Sequence, residues 1–401
     1  MKISIASFNL KNLIGPDREY YKFQSYTPEE YAWKRDWTAD QLVDLDADIV
    51  GFQEVFEEEA LEDVIELASA RAEALNGAVI PDQGKAYRRK VIFEKLGVTP
   101  WYDAALAFAP NAADTGEPGA RRPGVAVLSR LGFVGQPEVI QDLDPPVTIP
   151  FQPLRGLEGA LDSGSFTLHR LSRPILKVRI PMGEHVVTLF NVHLKSKLGE
   201  FITPEGAGFA PEEDLTHYDP VGRALGAMRA GLRRMAEAWV LRREIVAELE
   251  RGHPVIALGD FNDGEHAVSS EIIAGEVPFK NYQWMLRHDA QSYGDRYSEE
   301  EHKQITEAVE RFRLHSGEKL FVRRSLRDMV YTSAFGGVYE SIDQILLSRH
   351  FDPDFEGRIA EMDYFSVLND HITDGSHPEA PYNKLASDHG QIKAHLRFRN
   401  G

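Results

Sequence analysis

The sequence contains no cysteine, which excludes disulfide bonds and thiol chemistry from any account of its stability or activity. It also has no apolar run of membrane-spanning length, so we predict a soluble protein without a transmembrane segment. Basic residues are outnumbered by acidic ones, and the formal net charge is −18. No broad basic surface is therefore expected to collect nucleic acid by counterion release, and a polyanionic substrate would need a metal ion or local Lys and Arg side chains.

The amino terminus lacks the long apolar segment of a secretory signal. Residues 1–9 alternate between apolar and polar side chains like a β-strand, so we expect a cytoplasmic protein, with export left open if the sequence is a processed form. The 401 residues, 42% of them hydrophobic, are enough for a large core. Because no linker divides the chain, we predict a single domain over residues 1–401. The sequence leaves the oligomeric state open.

Strand and helix patterns alternate along the chain. The segment Thr27-Pro-Glu-Glu30 combines an N-cap, a proline at the first helical position and a capping-box glutamate, which predicts a helix towards Leu45. An acidic helix is predicted from Glu58 to Leu75, and Asp219-Pro220 begins the longest helix. Short apolar runs between these helices predict buried strands. Such an alternation is typical of an α/β protein.

Four stretches do not fit this alternation. They are rich in Gly, Pro and acidic residues, and we interpret them as long loop insertions near residues 110–123, 141–165, 198–219 and 351–386. Long loops are uncommon in compact domains unless they are functional or disordered. We therefore expect these segments to form the rim of a site.

Polar side chains follow the ends of the predicted strands. The clearest example is Val255-Ile-Ala-Leu-Gly-Asp-Phe-Asn262, where an apolar run delivers Asp260 and Asn262 to one place. If the extended geometry continues, these two side chains leave on the same side of the strand. For this segment alone, an Asx-rich turn explains the residues equally well. The same pattern recurs at other strand ends, which carry Asn9, Gln53, Glu54, His193, Asp343, Asp388 and His389.

Together these residues indicate an oxygen-rich metal site. Carboxylate and amide oxygens suit a hard cation, so we predict Mg²⁺, with Mn²⁺ as the alternative. Two histidines without cysteine argue against a structural zinc cage at this site. Each residue also has a purely structural interpretation: His193 as a hydrogen-bonded core imidazole and Asp343 as a turn or helix cap.

The ordered set of these motifs resembles the endonuclease/exonuclease/phosphatase superfamily. The resemblance rests on Phe8-Asn9, Gln53-Glu54, Asn191-Val-His193, Gly259-Asp-Phe-Asn262, Ile342-Asp343 and Ser387-Asp388-His389, and so it covers nearly the whole chain. It implies a four-layered α/β sandwich, in which two mixed β-sheets pack face to face with helices outside. It also implies a divalent-metal-dependent hydrolase that cleaves a phosphoester by direct attack of an activated water.

The resemblance further implies roles for the individual residues. Glu54 would be the principal metal ligand, supported by Asn9 and Asp388. The remaining residues would be catalytic. Asp260 would orient or deprotonate the attacking water, and Asn262 would fix that water or a phosphoryl oxygen. His389 would act as an imidazole paired with the Asp343 carboxylate, and His193 would contact the phosphate as a second imidazole.

Several cations are candidates for contact with the substrate phosphate. Lys195 and Lys197 alternate after the strand that ends near His193, although such lysines are more often solvated surface. Arg122 precedes a predicted strand. Arg223 lies in the first turn of the longest helix, where a bound anion would offset its unfavourable position, and a salt bridge to the acidic segment 212–214 is the alternative.

The substrate is less determined than the chemistry. Phe56 stands where the deoxyribonuclease branch of the superfamily has an arginine that enters the DNA minor groove, which argues against duplex DNA. Our main prediction is a phosphodiesterase or nuclease. The alternative is a phosphomonoesterase acting on an inositol phosphate or another small molecule. A non-catalytic scaffold ranks last, because no motif of the site is missing.

Overall fold

The structure is a computed structural model that describes residues 1–21, 24–77, 97–111, 121–150, 164–275, 297–322, 330–374 and 385–399. Within these residues the helices are α1 (Pro28–Leu45), α2 (Glu58–Gly77), α3 (Pro220–Glu250), α4 (Val268–Ala274), α5 (Glu299–Phe312) and α6 (Gly317–Val322). The strands are β1 (Lys2–Leu13), β2 (Ile49–Val55), β3 (Ala105–Ala109), β4 (Gly124–Ser129), β5 (Glu138–Pro150), β6 (Ser165–Met182), β7 (His185–His193), β8 (Val255–Asp260), β9 (Leu314–Ser316), β10 (Ser333–Phe335), β11 (Val338–Glu340), β12 (Asp343–Ser348), β13 (Ala360–Leu368) and β14 (Gln391–Phe398).

The predicted helix starts are confirmed by their capping contacts. Thr27 accepts a hydrogen bond from the Glu30 amide at 3.2 Å, and the Glu30 carboxylate accepts one from the Thr27 amide at 3.1 Å, which closes the capping box of α1. Asp219 accepts hydrogen bonds from the amides of Val221 and Gly222 at the start of α3. The four first-turn amides of a helix need such partners, and these sequences supply them locally.

Two mixed six-stranded sheets form the centre of the protein. Sheet A has the order β13-β14-β1-β2-β4-β3, and sheet B has the order β5-β6-β7-β8-β12-β9. In sheet A only β1 and β2 pair in parallel among the described strands, and in sheet B only β7 and β8 do. Each sheet therefore has one parallel pair whose carboxyl ends point to the same edge.

The sheets pack face to face with helices on both outer sides. One hydrophobic cluster draws from both sheets and includes Ile5, Ile49, Leu189 and Leu258. A second joins sheet A to α1 and α2, and a third joins sheet B to α3 and α4. The predicted four-layered α/β sandwich is thus confirmed. None of the described helices is both long enough and apolar enough to cross a membrane.

Two of the predicted loop insertions contain edge strands. Residues 141–150 form most of β5, and Ala360–Leu368, inside the predicted loop 351–386, forms β13. These parts of the prediction are wrong because both strands lie at sheet edges, where prolines such as Pro145 and charged residues such as Asp363 are tolerated. Two short 3₁₀ helices, Pro211–Glu213 and Leu215–His217, interrupt the segment 198–219. Most of 110–123 lies outside the described residues, and the single-domain prediction stays a prediction.

A buried amide bridges the two sheets close to the predicted site. Asn191 on β7 donates from Nδ2 to the carbonyls of Phe52 at 3.0 Å and Ala126 at 2.7 Å, on neighbouring strands of sheet A. Its Oδ1 accepts from Gln53 Nε2 at 2.6 Å. Buried polar groups of this kind stabilise a fold only when all are hydrogen-bonded, so the bridge fixes how the sheets align.

Replacing this bridge should destabilise the protein. Asn191→Leu leaves the amide of Gln53 and two carbonyls without this partner, and we expect a loss of about 3 kcal/mol in the free energy of unfolding. Gln304→Leu is the matched control, because Gln304 lies on the exposed face of α5 and bonds only Glu300 at 3.3 Å among the described residues. Urea unfolding followed by circular dichroism measures both. Equal stability of the two variants would contradict the role of the bridge.

Candidate active site

The predicted site residues meet at one end of the two sheets. Asn9 and Gln53 are paired residues near the carboxyl ends of the parallel strands β1 and β2, and His193 and Asp260 are paired at the carboxyl ends of β7 and β8. The antiparallel strand β12 begins at the same edge, since Asp343 pairs with Asp260. The strand topology thus brings together side chains that are far apart in sequence.

Gly259 allows the end of β8 to lie close to β7. Its φ is 140°, and a Cβ added to it would lie 1.9 Å from the carbonyl oxygen of Val192. Any side chain would push β8 away from β7 and displace the next residue, Asp260. The glycine of the Gly259-Asp-Phe-Asn262 motif is therefore required by the close approach of the strands.

Asp260 is the central acid of the cluster and is almost fully buried. Its Oδ2 accepts a hydrogen bond from Asn9 Nδ2 at 3.0 Å and lies 3.3 Å from His193 Nε2 and 3.8 Å from His389 Nε2. Its Oδ1 accepts from the backbone amide of Asn262 at 2.8 Å. The carboxylate thus contacts residues from both sheets.

The extended geometry expected at Asn262 does not occur. Asn262 has a φ of 55°, so the chain turns there, and its Nδ2 donates to the carbonyl of Leu194 at 3.0 Å. The segment is both a buried strand and an Asx turn, because the turn follows directly after the strand. Asp260 and Asn262 are still adjacent, but through a local hydrogen bond rather than by strand alternation.

His389 and Asp343 form a buried imidazole–carboxylate pair. His389 Nδ1 lies 2.8 Å from Asp343 Oδ2, which orients the other ring nitrogen towards Asp260. The segment before His389 is fixed as well, because the Ser387 hydroxyl donates to the carbonyl of Asn9 at 2.7 Å and accepts from the His389 amide at 3.1 Å. This ties the end of β1 to the start of β14.

Burial and neighbouring charges shift the pKa values of the two histidines in opposite directions. Burial would lower the pKa of His389, but the carboxylates of Asp343 and Asp260 outweigh it and raise that pKa well above its ordinary value. Burial lowers the pKa of His193 well below its ordinary value, and the charges of Arg173 and His389 add to this. At neutral pH the site therefore contains one imidazolium and one neutral imidazole.

Burial also changes the acid between these histidines. It raises the pKa of Asp260, and the negative charges of Asp343 and Glu54 act in the same direction, while His389 opposes them. A carboxylate with a raised pKa is a stronger base than an ordinary aspartate. Asp260 is therefore suited to accept a proton from a neighbouring group.

Glu54 lies at the end of β2 in a left-handed backbone conformation. Its φ is 60°, and Lys11 and Asn12, opposite it at the end of β1, have φ values of 50° and 62°. Glu54 Oε2 accepts from the Asn12 amide at 3.0 Å, and Oε1 lies 4.0 Å from His193 Nε2. Non-glycine residues in this conformation are uncommon and concentrate at functional sites.

The donor set fits a hard divalent cation. Glu54 and Asn9 offer oxygen atoms, and the buried Asn12 Oδ1 has no hydrogen-bond partner among the described residues. Asn9 Oδ1 accepts from the Lys11 amide at 2.9 Å, which holds the amide group in place. Asp388 lies farther out: its side chain is 57% exposed and its Oδ2 is 3.9 Å from Lys11 Nζ. Ligand atoms of Asp260, Asp343 and His389 also lie within 4.8 Å of one another.

Three of the four predicted phosphate-binding cations have protein partners. Lys195 Nζ donates to the carbonyl of Leu198 at 3.0 Å, and Lys197 Nζ contacts Glu340 at 3.0 Å. Arg223 Nη1 donates to the main-chain carbonyl of Glu212 at 2.8 Å. The contact of Arg223 with the acidic segment 212–214 therefore forms, although through the backbone rather than as a salt bridge.

Arg122 belongs to a cationic group beside the site. The pKa of Tyr21 is raised to about 12, mainly by burial and also by Glu54, while the charges of Arg173 and Arg122 act in the opposite direction, so both arginines lie near this tyrosine. Arg173 also donates to the carbonyl of Leu194 at 3.1 Å. Our sequence predictions missed Arg173, since its position within β6 carries no motif.

A buried lysine supports the backbone of the site. Lys34 on α1 is fully buried, and its Nζ donates to the carbonyls of Leu10 at 2.9 Å and Leu385 at 3.1 Å. These carbonyls flank the segments that carry Asn9 and Asp388. Burial lowers the pKa of Lys34 to about 7. The sequence signal was available, because Lys34 shares a helix face with Tyr31, Thr38 and Leu42, which are buried.

Most of the chain is similar in sequence to a known protein family. A model of the Endonuclease/Exonuclease/phosphatase family matches residues 6–389. No curated protein sequence matches the chain.

The chain is also similar to several solved structures. An endonuclease/exonuclease/phosphatase family protein from Bacteroides thetaiotaomicron has 14% identity and a TM-score of 0.45, over 100% of this chain and 99% of that one. Truncated TDP2 from Caenorhabditis elegans has 12% identity and a TM-score of 0.41, over 100% and 98% of the two chains. The mannosyl-6-phosphatase Bt3783 from Bacteroides thetaiotaomicron VPI-5482 has 14% identity and a TM-score of 0.42, over 99% and 100%.

The pairing of His389 with Asp343 predicts a measurable titration. In protein kept metal-free with EDTA, Asp343→Asn should shift the His389 titration to lower pH, because the variant removes the nearest charge that stabilises the imidazolium. Asp388→Asn is the matched control and should produce a smaller shift, since Asp388 is more exposed. NMR titration of the imidazole protons, assigned with His389→Gln, measures both. An equal shift in the two variants would contradict the pairing.

Proposed function

The chain belongs to the endonuclease/exonuclease/phosphatase family, and we propose that it hydrolyses a phosphodiester by direct attack of water, assisted by Mg²⁺ or Mn²⁺. The observation that carries this proposal is the position of the buried Asp260 carboxylate. Its Oδ2 lies 3.0 Å from Asn9, 3.3 Å from His193 and 3.8 Å from His389. An acid so placed, with a raised pKa and two imidazoles beside it, supports general-base catalysis.

Asp260 accepts the proton of the attacking water in this proposal. The water oxygen forms a bond to phosphorus while the bond from phosphorus to the leaving oxygen breaks in line, without a covalent intermediate. The backbone amide of Asn262, which donates to Asp260 Oδ1 at 2.8 Å, keeps the carboxylate in one orientation. Fixing the base in advance lowers the entropic cost of reaching the transition state.

The two histidines bind the phosphoryl group in different charge states. His389 is an imidazolium held by Asp343, and it donates a hydrogen bond to a phosphoryl oxygen as negative charge develops there. His193 is neutral, and its Nε2, which lies 3.3 Å from Asp260 Oδ2, donates a second hydrogen bond to the phosphoryl group. Its low pKa prevents it from forming a competing imidazolium–carboxylate pair with the base.

The residues that would hold the cation are Glu54 and Asn9, with Asp388 at the rim. When bound there, a divalent cation neutralises charge on a phosphate oxygen. Glu54 is directed towards the site by its hydrogen bond from the Asn12 amide. For the substrate phosphate we propose Arg122 together with Arg173. Lys195, Lys197 and Arg223 rank lower. Arg173 also donates to a protein carbonyl, but its charge acts on His193 and on Tyr21 in the site.

Charge balance favours a diester over a monoester as substrate. The chain has a formal net charge of −18, and Glu54, Asp260, Asp343 and Asp388 add acids to the site itself. A phosphodiester has one negative charge, whereas a monoester approaches two near neutral pH. The acidic surroundings therefore repel a diester less. A short or small diester fits better than long nucleic acid, because no excess of basic charge is present to bind a polyanion.

Removing the base or the metal ligand should impair hydrolysis of bis-p-nitrophenyl phosphate in different ways. We expect Asp260→Asn to lower kcat by about 10²–10⁴-fold, the range typical of a lost general base. Glu54→Gln should raise the Mg²⁺ concentration needed for activity, and EDTA should stop turnover reversibly. The control is Glu361→Gln, which should retain full activity. Glu361 lies on the edge strand β13 and forms a surface ion pair with Arg397. Turnover that survives EDTA, or an unchanged Mg²⁺ requirement in Glu54→Gln, would refute the mechanism.

Substrate preference is a separate prediction. With Mg²⁺ present, kcat/KM for bis-p-nitrophenyl phosphate should exceed that for p-nitrophenyl phosphate, because the diester has less charge to bring into the acidic site. The reverse preference would establish the phosphomonoesterase alternative, and no activity on either would favour the scaffold. Single-stranded DNA, plasmid, RNA, sphingomyelin and inositol phosphates then form the panel of natural diesters and monoesters.

A further inference from the structure

A second group of metal-ligating side chains lies at the other end of sheet B. It consists of Glu310 on α5, His315 on the edge strand β9, and Asp352 shortly after β12. β12 begins at Asp343 in the candidate active site and runs away from it to Ser348, a length of about 17 Å at the usual rise per residue. The group is therefore separate from the candidate active site.

His315 directs a buried nitrogen between two carboxylates. Its side chain is 6% exposed, and Nε2 lies 3.5 Å from Glu310 Oε2 and 3.4 Å from Asp352 Oδ2. Within the part of the chain that the structure describes, this nitrogen makes no hydrogen bond. A charge-assisted hydrogen bond would be shorter, about 2.7–2.9 Å. A buried ring nitrogen that lies within ion-pair distance of two acids but hydrogen-bonds neither is the arrangement expected where an ion binds between them.

Two of the three separations between the ligand atoms match a tetrahedral metal ion. Zinc binds imidazole nitrogen and carboxylate oxygen at about 2.0–2.2 Å, which places neighbouring ligands of a tetrahedron about 3.4 Å apart. The two separations from His315 Nε2 have this value, and all three ligand atoms lie within 4.8 Å of one another. Little movement is needed to place an ion among them.

Each carboxylate is already oriented by its second oxygen. Glu310 Oε1 accepts from Arg313 Nη1 at 3.1 Å, and Asp352 Oδ1 accepts from the Asp354 amide at 3.1 Å. The other oxygen of each acid is therefore the one that faces His315. Outer contacts that fix ligand orientation in this way are a regular feature of protein metal sites.

We propose that Glu310, His315 and Asp352 bind one Zn²⁺, with a water molecule as the fourth ligand. One imidazole and two carboxylates suit Zn²⁺, whereas Mg²⁺ requires six oxygen ligands in near-octahedral geometry. The ion joins the end of α5, the edge strand β9 and the turn after β12. Its role is structural: it closes the outer edge of sheet B and does not depend on the proposed catalysis.

The number of Zn²⁺ ions bound per chain, measured after equilibrium dialysis at a fixed free Zn²⁺ concentration, tests this proposal. His315→Asn and Glu310→Gln should each bind one Zn²⁺ fewer per chain than the unmodified protein, or bind it at least about tenfold more weakly. His217→Asn is the matched control, because His217 is an exposed histidine 3.2 Å from the single carboxylate of Asp214. It should bind as much zinc as the unmodified protein. Glu54→Gln should leave this site unaffected.

Two further measurements keep the test decisive if His315→Asn folds poorly. Glu310 is on the partly exposed side of α5, so Glu310→Gln should keep the circular dichroism of the unmodified protein. Co²⁺ added to the unmodified protein should give the visible absorption of a tetrahedral site, and Zn²⁺ should displace it. Equal zinc content in Glu310→Gln and the unmodified protein, or absence of the tetrahedral Co²⁺ spectrum, would overturn the proposal and leave His315 as an ion-pair partner of the two acids.

Discussion

The hydrogen bond between Asn9 and Asp260 is the contact on which the candidate site depends. Asn9 belongs to sheet A and Asp260 to sheet B, both are buried, and 3.0 Å separates their atoms. A buried carboxylate is costly unless its oxygens accept hydrogen bonds. One of those bonds comes from the other sheet. The position of the acid therefore depends on how the two sheets pack together. The Asn191 bridge fixes the same alignment a short distance away.

Charge is the second constraint on the site. Glu54, Asp260 and Asp343 lie close together in a low-dielectric environment, where like charges repel strongly. The His389 imidazolium offsets part of this repulsion, and the distribution of the histidine charges follows from which ring contacts Asp343. A divalent cation at Glu54 offsets more of it in our proposal. In our proposal, this arrangement favours a substrate that itself has little negative charge.

Local patterns in the sequence predicted the central strands and the site motifs, because buried strands and their polar ends depend on neighbouring residues. The edge strands were missed for the opposite reason: edges tolerate proline, as at Asp144-Pro145 in β5, and charge. The sequence did not indicate that Lys197 pairs with Glu340, which lies on a distant strand. Arg173 reaches the site through sheet register, which no single motif encodes.

A double-mutant cycle on Asn9 and Asp260 tests the central claim most directly. The quantity measured is kcat for bis-p-nitrophenyl phosphate at saturating Mg²⁺ in Asn9→Ala, Asp260→Asn and the double variant. If Asn9 acts by holding Asp260, Asn9→Ala should slow the enzyme with Asp260 present and have little further effect once Asp260 is replaced. The same fold-loss from Asn9→Ala in both backgrounds would contradict the account.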